Sequence, residues 1–191
     1  MAGMTRMDGG RLWNRLRAIG WAAAALLLVL PLAAMRLGVP GIVWTLSDFL
    51  VMGALMGTCG LVLELVTRLS VNLAYRFAAT VGVGAAFLLV WVNLAVGFLG
   101  GEDNFANLMF LGVILVAAVG TLAVRARAGP MTHVLMATAA AQLLAGIIGY
   151  AAGWASPGGQ AVYEVMMGTA LFTGLWLISA NLFARAARAG A

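Results

Sequence analysis

Residues 91–110 read WVNLAVGFLGGEDNFANLMF. Two carboxylates, Glu102 and Asp103, and three amides, Asn93, Asn104 and Asn107, gather here in a chain that has six acidic residues in all. Such oxygen-rich groups at a turn offer two kinds of chemistry. They can hold a cation or a small polar ligand at a surface, or they can cap and tie helix ends. The D-x-[DN]-x-[DN]-G spacing of a calcium loop is missing. The tie is the simpler reading. A tight turn at Gly100–Gly101 brings two apolar runs together. Asn93 then bonds Asn107 or free backbone near Glu102, while Asp103 or Asn104 caps the second run.

Other polar positions are isolated. Gln142 falls in the middle of an apolar run, where an amide must face protein rather than hydrocarbon. It is read as a tie between helices, with a substrate contact as the alternative. His133 is the single histidine and cannot supply two axial imidazoles within one chain, so no haem is assigned. Cys59 is the single cysteine and fits no metal spacing. No G-x-S-x-G, H-E-x-x-H, P-loop or dinucleotide fingerprint occurs, and Gly82-x-Gly84 lies inside an apolar run. The sequence assigns no catalytic set, no metal site and no cofactor.

The elements that position these residues follow from composition. Of 191 residues, 64% are hydrophobic and 9% charged. That is too little polar surface to cover a core in water, so the solvent is lipid. A hydrocarbon layer of about 30 Å needs roughly 20 apolar residues as helix. Six runs meet the need, at about 18–35, 46–66, 77–99, 108–124, 131–153 and 162–183. Strand alternation is absent, so a barrel is not predicted. The expected fold is all-α: a polytopic bundle of six transmembrane helices. The expected organisation is a basic cytoplasmic segment at 1–17, a six-helix membrane domain at 18–184 and a cytoplasmic tail at 185–191. The first run is read as an uncleaved helix, ended or kinked by Pro31.

All eleven basic residues are arginine. Six crossings put ten of them on one side and leave Arg36 alone on the other, which predicts both termini in the cytoplasm. Scattered arginines of this kind are topology marks and do not form a nucleic-acid face. Asp48, Glu102, Asp103 and Glu164 fall on the opposite side. Asp48 and Glu164 are expected in the first turns of their helices, with Thr45 or Ser47 capping the second run. Trp13, Trp44, Tyr75, Tyr150, Trp154 and Tyr163 lie near predicted boundaries and read as an interfacial belt. Small residues four apart, at Gly53/Gly57, Gly149/Gly153 and Ala170/Gly174, allow close helix approach within the chain or between chains.

The stretch Trp91-Val92-Asn93-x-Ala95-Val96-Gly97, followed by Glu102-Asp103-Asn104-x-Ala106-Asn107-Leu108-Met109, resembles the signature of a family of small bacterial multi-pass membrane proteins. The likeness extends to ATAAAQLL, which contains Gln142, and to GWAAAALLLVLPL in the first run. It implies a multi-pass bacterial membrane protein and brings no activity, cofactor or partner with it. Phe105 stands where the family has proline, which implies a looser cap on the fourth span. The functional expectation is a non-enzymatic integral protein of the bacterial inner membrane, structural or accessory. Its partners would be the lipid bilayer and a second copy or another membrane subunit. The alternative is a small transporter, or a ligand- or ion-binding sensor that uses the 93–107 turn.

Overall fold

The computed structural model describes residues 2–101, 103–155 and 159–190, with side chains except at 2–14, 16 and 159–161. Among the described residues there are six α-helices, no strand, and one short 3-10 turn. The helices are α1 (Ala2–Arg36), α2 (Leu46–Leu69), α3 (Leu73–Ala95), α4 (Leu108–Ala123), α5 (Ala128–Ala151) and α6 (Gly159–Arg188). Each has a stretch long and apolar enough to cross a membrane. The fold is therefore an all-α polytopic membrane protein. The chain divides into two compact units, Met1–Leu61 and Val62–Ala191.

In the first unit, α1 passes through Pro31 and continues to Arg36, so the expected end at Pro31 is not found. The lost N–H removes one bond of the ladder, and the bonds on either side keep the helix whole. The start of α2 is a reciprocal cap built by Thr45. Asp48 Oδ2 accepts from the Thr45 N–H at 2.7 Å, and the Asp48 N–H donates to Thr45 Oγ1 at 3.4 Å. Trp44 stacks edge-on against Phe49, with ring centroids 5.1 Å apart. Gly60 makes room for Trp21, whose indole lies 2.6 Å from where a Cβ would stand.

The second unit is built on α5 and α6, which pack against each other most extensively. α3 lies on α6, α4 lies on α5, and α3 touches α4 sparsely. Close approaches set the register. Gly146 faces Thr169 and Gly129 faces Ala187, so α5 and α6 run antiparallel and Gln142 stands opposite Thr173. Gly82 faces Ser179, and Tyr75 meets Phe183 edge-on at 5.1 Å, which fixes α3 against α6. Phe110, Leu89, Leu99, Val113 and Trp176 form the fully buried centre. Leucines and valines cover the outside: Leu111, Leu115, Val119 and Leu122 run down the exposed face of α4. This is the inverse of a water-soluble helix and suits hydrocarbon.

Of the small-residue pairs, Gly149 marks a close approach, since a Cβ there would stand 2.6 Å from Leu99, and Gly57 and Gly174 do not. Nothing lies within 4 Å of a Cβ built at Gly57 or Gly174, and Gly153 adopts a positive φ of 69° just past α5. The other tight approaches in this unit use Gly82, Gly120, Gly146 and Gly168, each against a side chain rather than a facing glycine. α6 begins at Gly159, so Glu164 falls beyond its first turn.

Candidate functional site

The third helix stops earlier than the apolar run. α3 ends at Ala95, and Gly97, with φ 69°, takes the left-handed turn that lets its N–H and that of Val96 both reach the Val92 carbonyl. The run reads on because two apolar side chains of the loop, Phe98 and Leu99, pack inward. Phe98 packs on Phe110 and Phe172, with centroids 4.3 and 5.8 Å away, and Leu99 is fully buried against Gly149. Gly100 and Gly101 then turn the chain with φ of 66° and 112°.

One residue holds this loop. Asn107 is buried, and its Oδ1 accepts from the N–H groups of Phe98 at 2.9 Å and Leu99 at 2.8 Å. Its Nδ2 donates to the carbonyls of Gly101 at 2.7 Å and Leu99 at 3.4 Å. The two N–H groups fix the amide's orientation, since only oxygen can accept both. Asn104 caps the 3-10 turn Phe105–Asn107 by accepting from the Ala106 N–H at 3.0 Å, and its Nδ2 donates to the Trp154 carbonyl at 3.2 Å. Phe105 is 86% exposed, and the turn forms around it nonetheless.

The structure does not bring Asn93 into this set by hydrogen bond. Its Nδ2 donates to Leu89 O one turn back at 2.7 Å, and its buried Oδ1 has no partner. It sits in the last turn of α3, because the helix ends at Ala95 and not near Leu99. Asp103 is exposed, and Glu102 lies outside the described residues. Asn93, Asp103, Asn104 and Asn107 do share the lining of a cavity of about 290 Å³ between the facing ends of α3 and α4.

Gln142 is fully buried on α5 and neither its Oε1 nor its Nε2 has a partner, so it bonds no neighbouring helix. The hydroxyls of Thr169 and Thr173 on the facing side of α6 are likewise without partners. His133 is exposed near the start of α5.

Three positions that carry the packing gave little sign in the sequence. Tyr75 is a buried strut and not part of a belt. Its hydroxyl donates to the Ala126 carbonyl at 2.7 Å, holding a turn in which Arg125 and Ala126 both take positive φ, 53° and 54°. Ser179, fully buried, donates to the Ala78 carbonyl at 2.7 Å and ties α6 to α3. Arg76 donates to the carbonyls of Ser70 and Thr67, at 2.9 and 3.0 Å, and so caps the end of α2.

Comparison with protein-family models, with curated proteins and with solved structures finds no match to this chain.

Proposed function

We propose that the protein is a non-enzymatic, structural or accessory component of a bacterial inner membrane, inserted with both ends of the chain on the cytoplasmic side. The observation that carries this reading is the state of the 96–107 turn. Every polar atom of the Asn107 side chain bonds the chain's own backbone, and Asn104 is engaged at both its oxygen and its nitrogen. Groups committed in this way fasten a loop and are not available to a substrate. The arginine asymmetry supports the orientation, since arginines retained at one surface fix the insertion of short-looped membrane proteins. The partner class is the bilayer and either a second copy or another membrane subunit, and Gly57 and Gly174 have open space for such a neighbour.

Two measurements test this reading. Alkaline phosphatase fused after Asp103 should be active, and the same reporter at residue 72 or after Arg188 should be silent. Activity at residue 72 would overturn the orientation. In purified protein, Glu102→Gln/Asp103→Asn should leave the melting temperature and its response to cations unchanged. A cation-induced stabilisation that vanishes in this variant would replace the structural reading with a binding one.

A further inference from the structure

Arginines scattered along the sequence converge in the fold of the second unit. α2 ends at Leu69 and α3 begins at Leu73, so Arg68 and Arg76 share one short connection. Arg76 fastens it by donating to the Ser70 and Thr67 carbonyls. The Tyr75 hydroxyl reaches the Ala126 carbonyl at 2.7 Å, which sets the α4–α5 turn, with Arg125 and Arg127, beside the start of α3. The Tyr75 ring meets Phe183, and Gly129 faces Ala187, so the last turns of α6, with Arg185 and Arg188, come to the same end. α3 rests on α6 and α4 on α5, which leaves a cleft between α3 and α4, and Val66, Tyr75 and Ala126 line a cavity of about 370 Å³ at its arginine end. Each of the six arginines stands within two residues of one of these contacts.

The charge of this junction is one-sided and faces outward. Arg68, Arg125, Arg127, Arg185 and Arg188 are exposed. Of the described acids of the unit, Glu64 lies at this end, while Asp103 and Glu164 lie at the other. Guanidiniums gathered this way repel one another and create a positive potential that an anion relieves. Retention of positive charge on one side of a bilayer explains why arginines occur here, but it does not require three separate connections to meet. Nor does it require the α4–α5 turn to be held with Arg125 and Ala126 both at positive φ. The apolar span of α4 runs to Ala123 and that of α5 starts at Ala128, which sets Arg125 and Arg127 at the level of the lipid phosphates. Every basic residue is arginine, whose planar fork pairs with two phosphate oxygens at once.

We propose that this junction docks the phosphate headgroup of an anionic phospholipid. Arg125 and Arg127 of the α4–α5 turn hold the phosphate, in the positive field of Arg68, Arg185 and Arg188. Arg76 is committed to the carbonyls at the end of α2 and positions the connection. A zwitterionic head carries its own cation into that field and loses most of the attraction, so a net negative head is selected. The proposal rests on the reading of the chain as a component of a bilayer, but not on which side of it faces the cytoplasm. The reporter fusions and the lipid titration below can therefore fail independently.

The test uses the full chain in detergent, titrated with dioleoyl phosphatidylglycerol or dioleoyl phosphatidylcholine and read by native mass spectrometry. The two lipids share chains and phosphate and differ in net charge. Phosphatidylglycerol should bind about tenfold tighter or more, and the preference should shrink as ammonium acetate rises from about 0.1 to about 0.5 M. An arginine near an anionic lipid surface contributes roughly fivefold, so Arg125→Gln/Arg127→Gln should cost roughly thirtyfold with the circular dichroism spectrum unchanged. Arg36→Gln, the same change at the end of α1, should leave binding as in wild type. Equal binding of the two lipids by wild type would overturn the proposal without recourse to any variant. A folded double variant that keeps the preference would overturn the site, as would an equal loss in Arg36→Gln, which would reduce the effect to net charge. Displacement of phosphatidylglycerol by millimolar inorganic phosphate would make this a site for a soluble anion instead. A melting temperature raised by polyglutamate and not by phosphatidylglycerol would make it a docking face for an acidic protein.

Discussion

If Asn107 is the fastening of the α3–α4 loop, removing its amide should destabilise the protein far more than removing any other polar side chain of the turn. Asn107→Leu keeps most of the volume and deletes all four hydrogen bonds. The Leu99 N–H and carbonyl are stranded in a place where Leu99 is fully buried, so water cannot replace the amide. The Phe98 N–H and the Gly101 carbonyl are only part-buried and recover partial solvation. A stranded buried backbone group costs about 1–3 kcal/mol, which sets the expected loss at about 2–4 kcal/mol once the weak 3.4 Å bond is discounted.

Unfolding in mixed micelles by increasing SDS, followed by circular dichroism, measures the total. Hydrogen exchange of the Phe98 and Leu99 amides measures the cause, because these two should move from protected to fast while α5 and α6 stay protected. Asn93→Ala is the comparison. It removes a single bond within its own helix and should cost under about 1 kcal/mol. An Asn107→Leu variant within about 0.5 kcal/mol of wild type would refute the reasoning, as would an Asn93→Ala variant that costs as much.

Other substitutions probe the helix contacts by the same unfolding assay. Tyr75→Phe loses the bond to the Ala126 carbonyl and should cost about 1 kcal/mol, whereas Ala126→Gly should gain up to about 1 kcal/mol by relieving a left-handed alanine. Gln142→Leu should hold or raise stability, since both polar atoms lack partners; a loss above about 1 kcal/mol would reveal a partner and restore the reading of Gln142 as a tie between helices. Gly146→Ala should cost about 1–3 kcal/mol or more, because the new methyl lands 2.5 Å from Thr169 Cγ2 and closer still to its hydroxyl. Thr169→Ala in the same chain should return part of that loss.

The six helices were legible because lipid imposes a single strong requirement, a long apolar run, and each run announces itself without help from its neighbours. Helix ends were less legible. Hydropathy placed the end of α3 near Leu99, yet the helix stops at Ala95, because a loop that packs Phe98 and Leu99 inward is as apolar as a helix and Gly97 marks the change. The polar turn was visible as a cluster, but the division of labour inside it was not. Asn93 and Asn107 look equivalent on paper, and what separates them is the direction each amide takes after the chain has turned. Small-residue spacing misled for a related reason. Gly57, Gly149 and Gly174 all satisfy the pattern, yet of these three only Gly149 meets a close neighbour, Leu99, and the equally tight approaches at Gly146 and Gly168, against Thr169 and Phe98, fall outside it; no spacing within one helix encodes its partner.

The fastening and the cleft are two consequences of one arrangement. A hairpin of membrane helices usually closes along its length through facing small residues or side-chain bonds. Here the α3–α4 pair is joined at one end by an amide that bonds loop backbone, and its two members are otherwise held by different helices beneath them. The walls therefore stand apart over most of their length. It follows that the width of the cleft is set at the 96–107 end. Asn107→Leu, chosen to loosen the loop, should also speed hydrogen exchange in the last turn of α3 and the first turn of α4. Exchange that stays slow in those turns while the Phe98 and Leu99 amides exchange freely would separate the two, leaving the cleft's spacing to the α5–α6 floor alone.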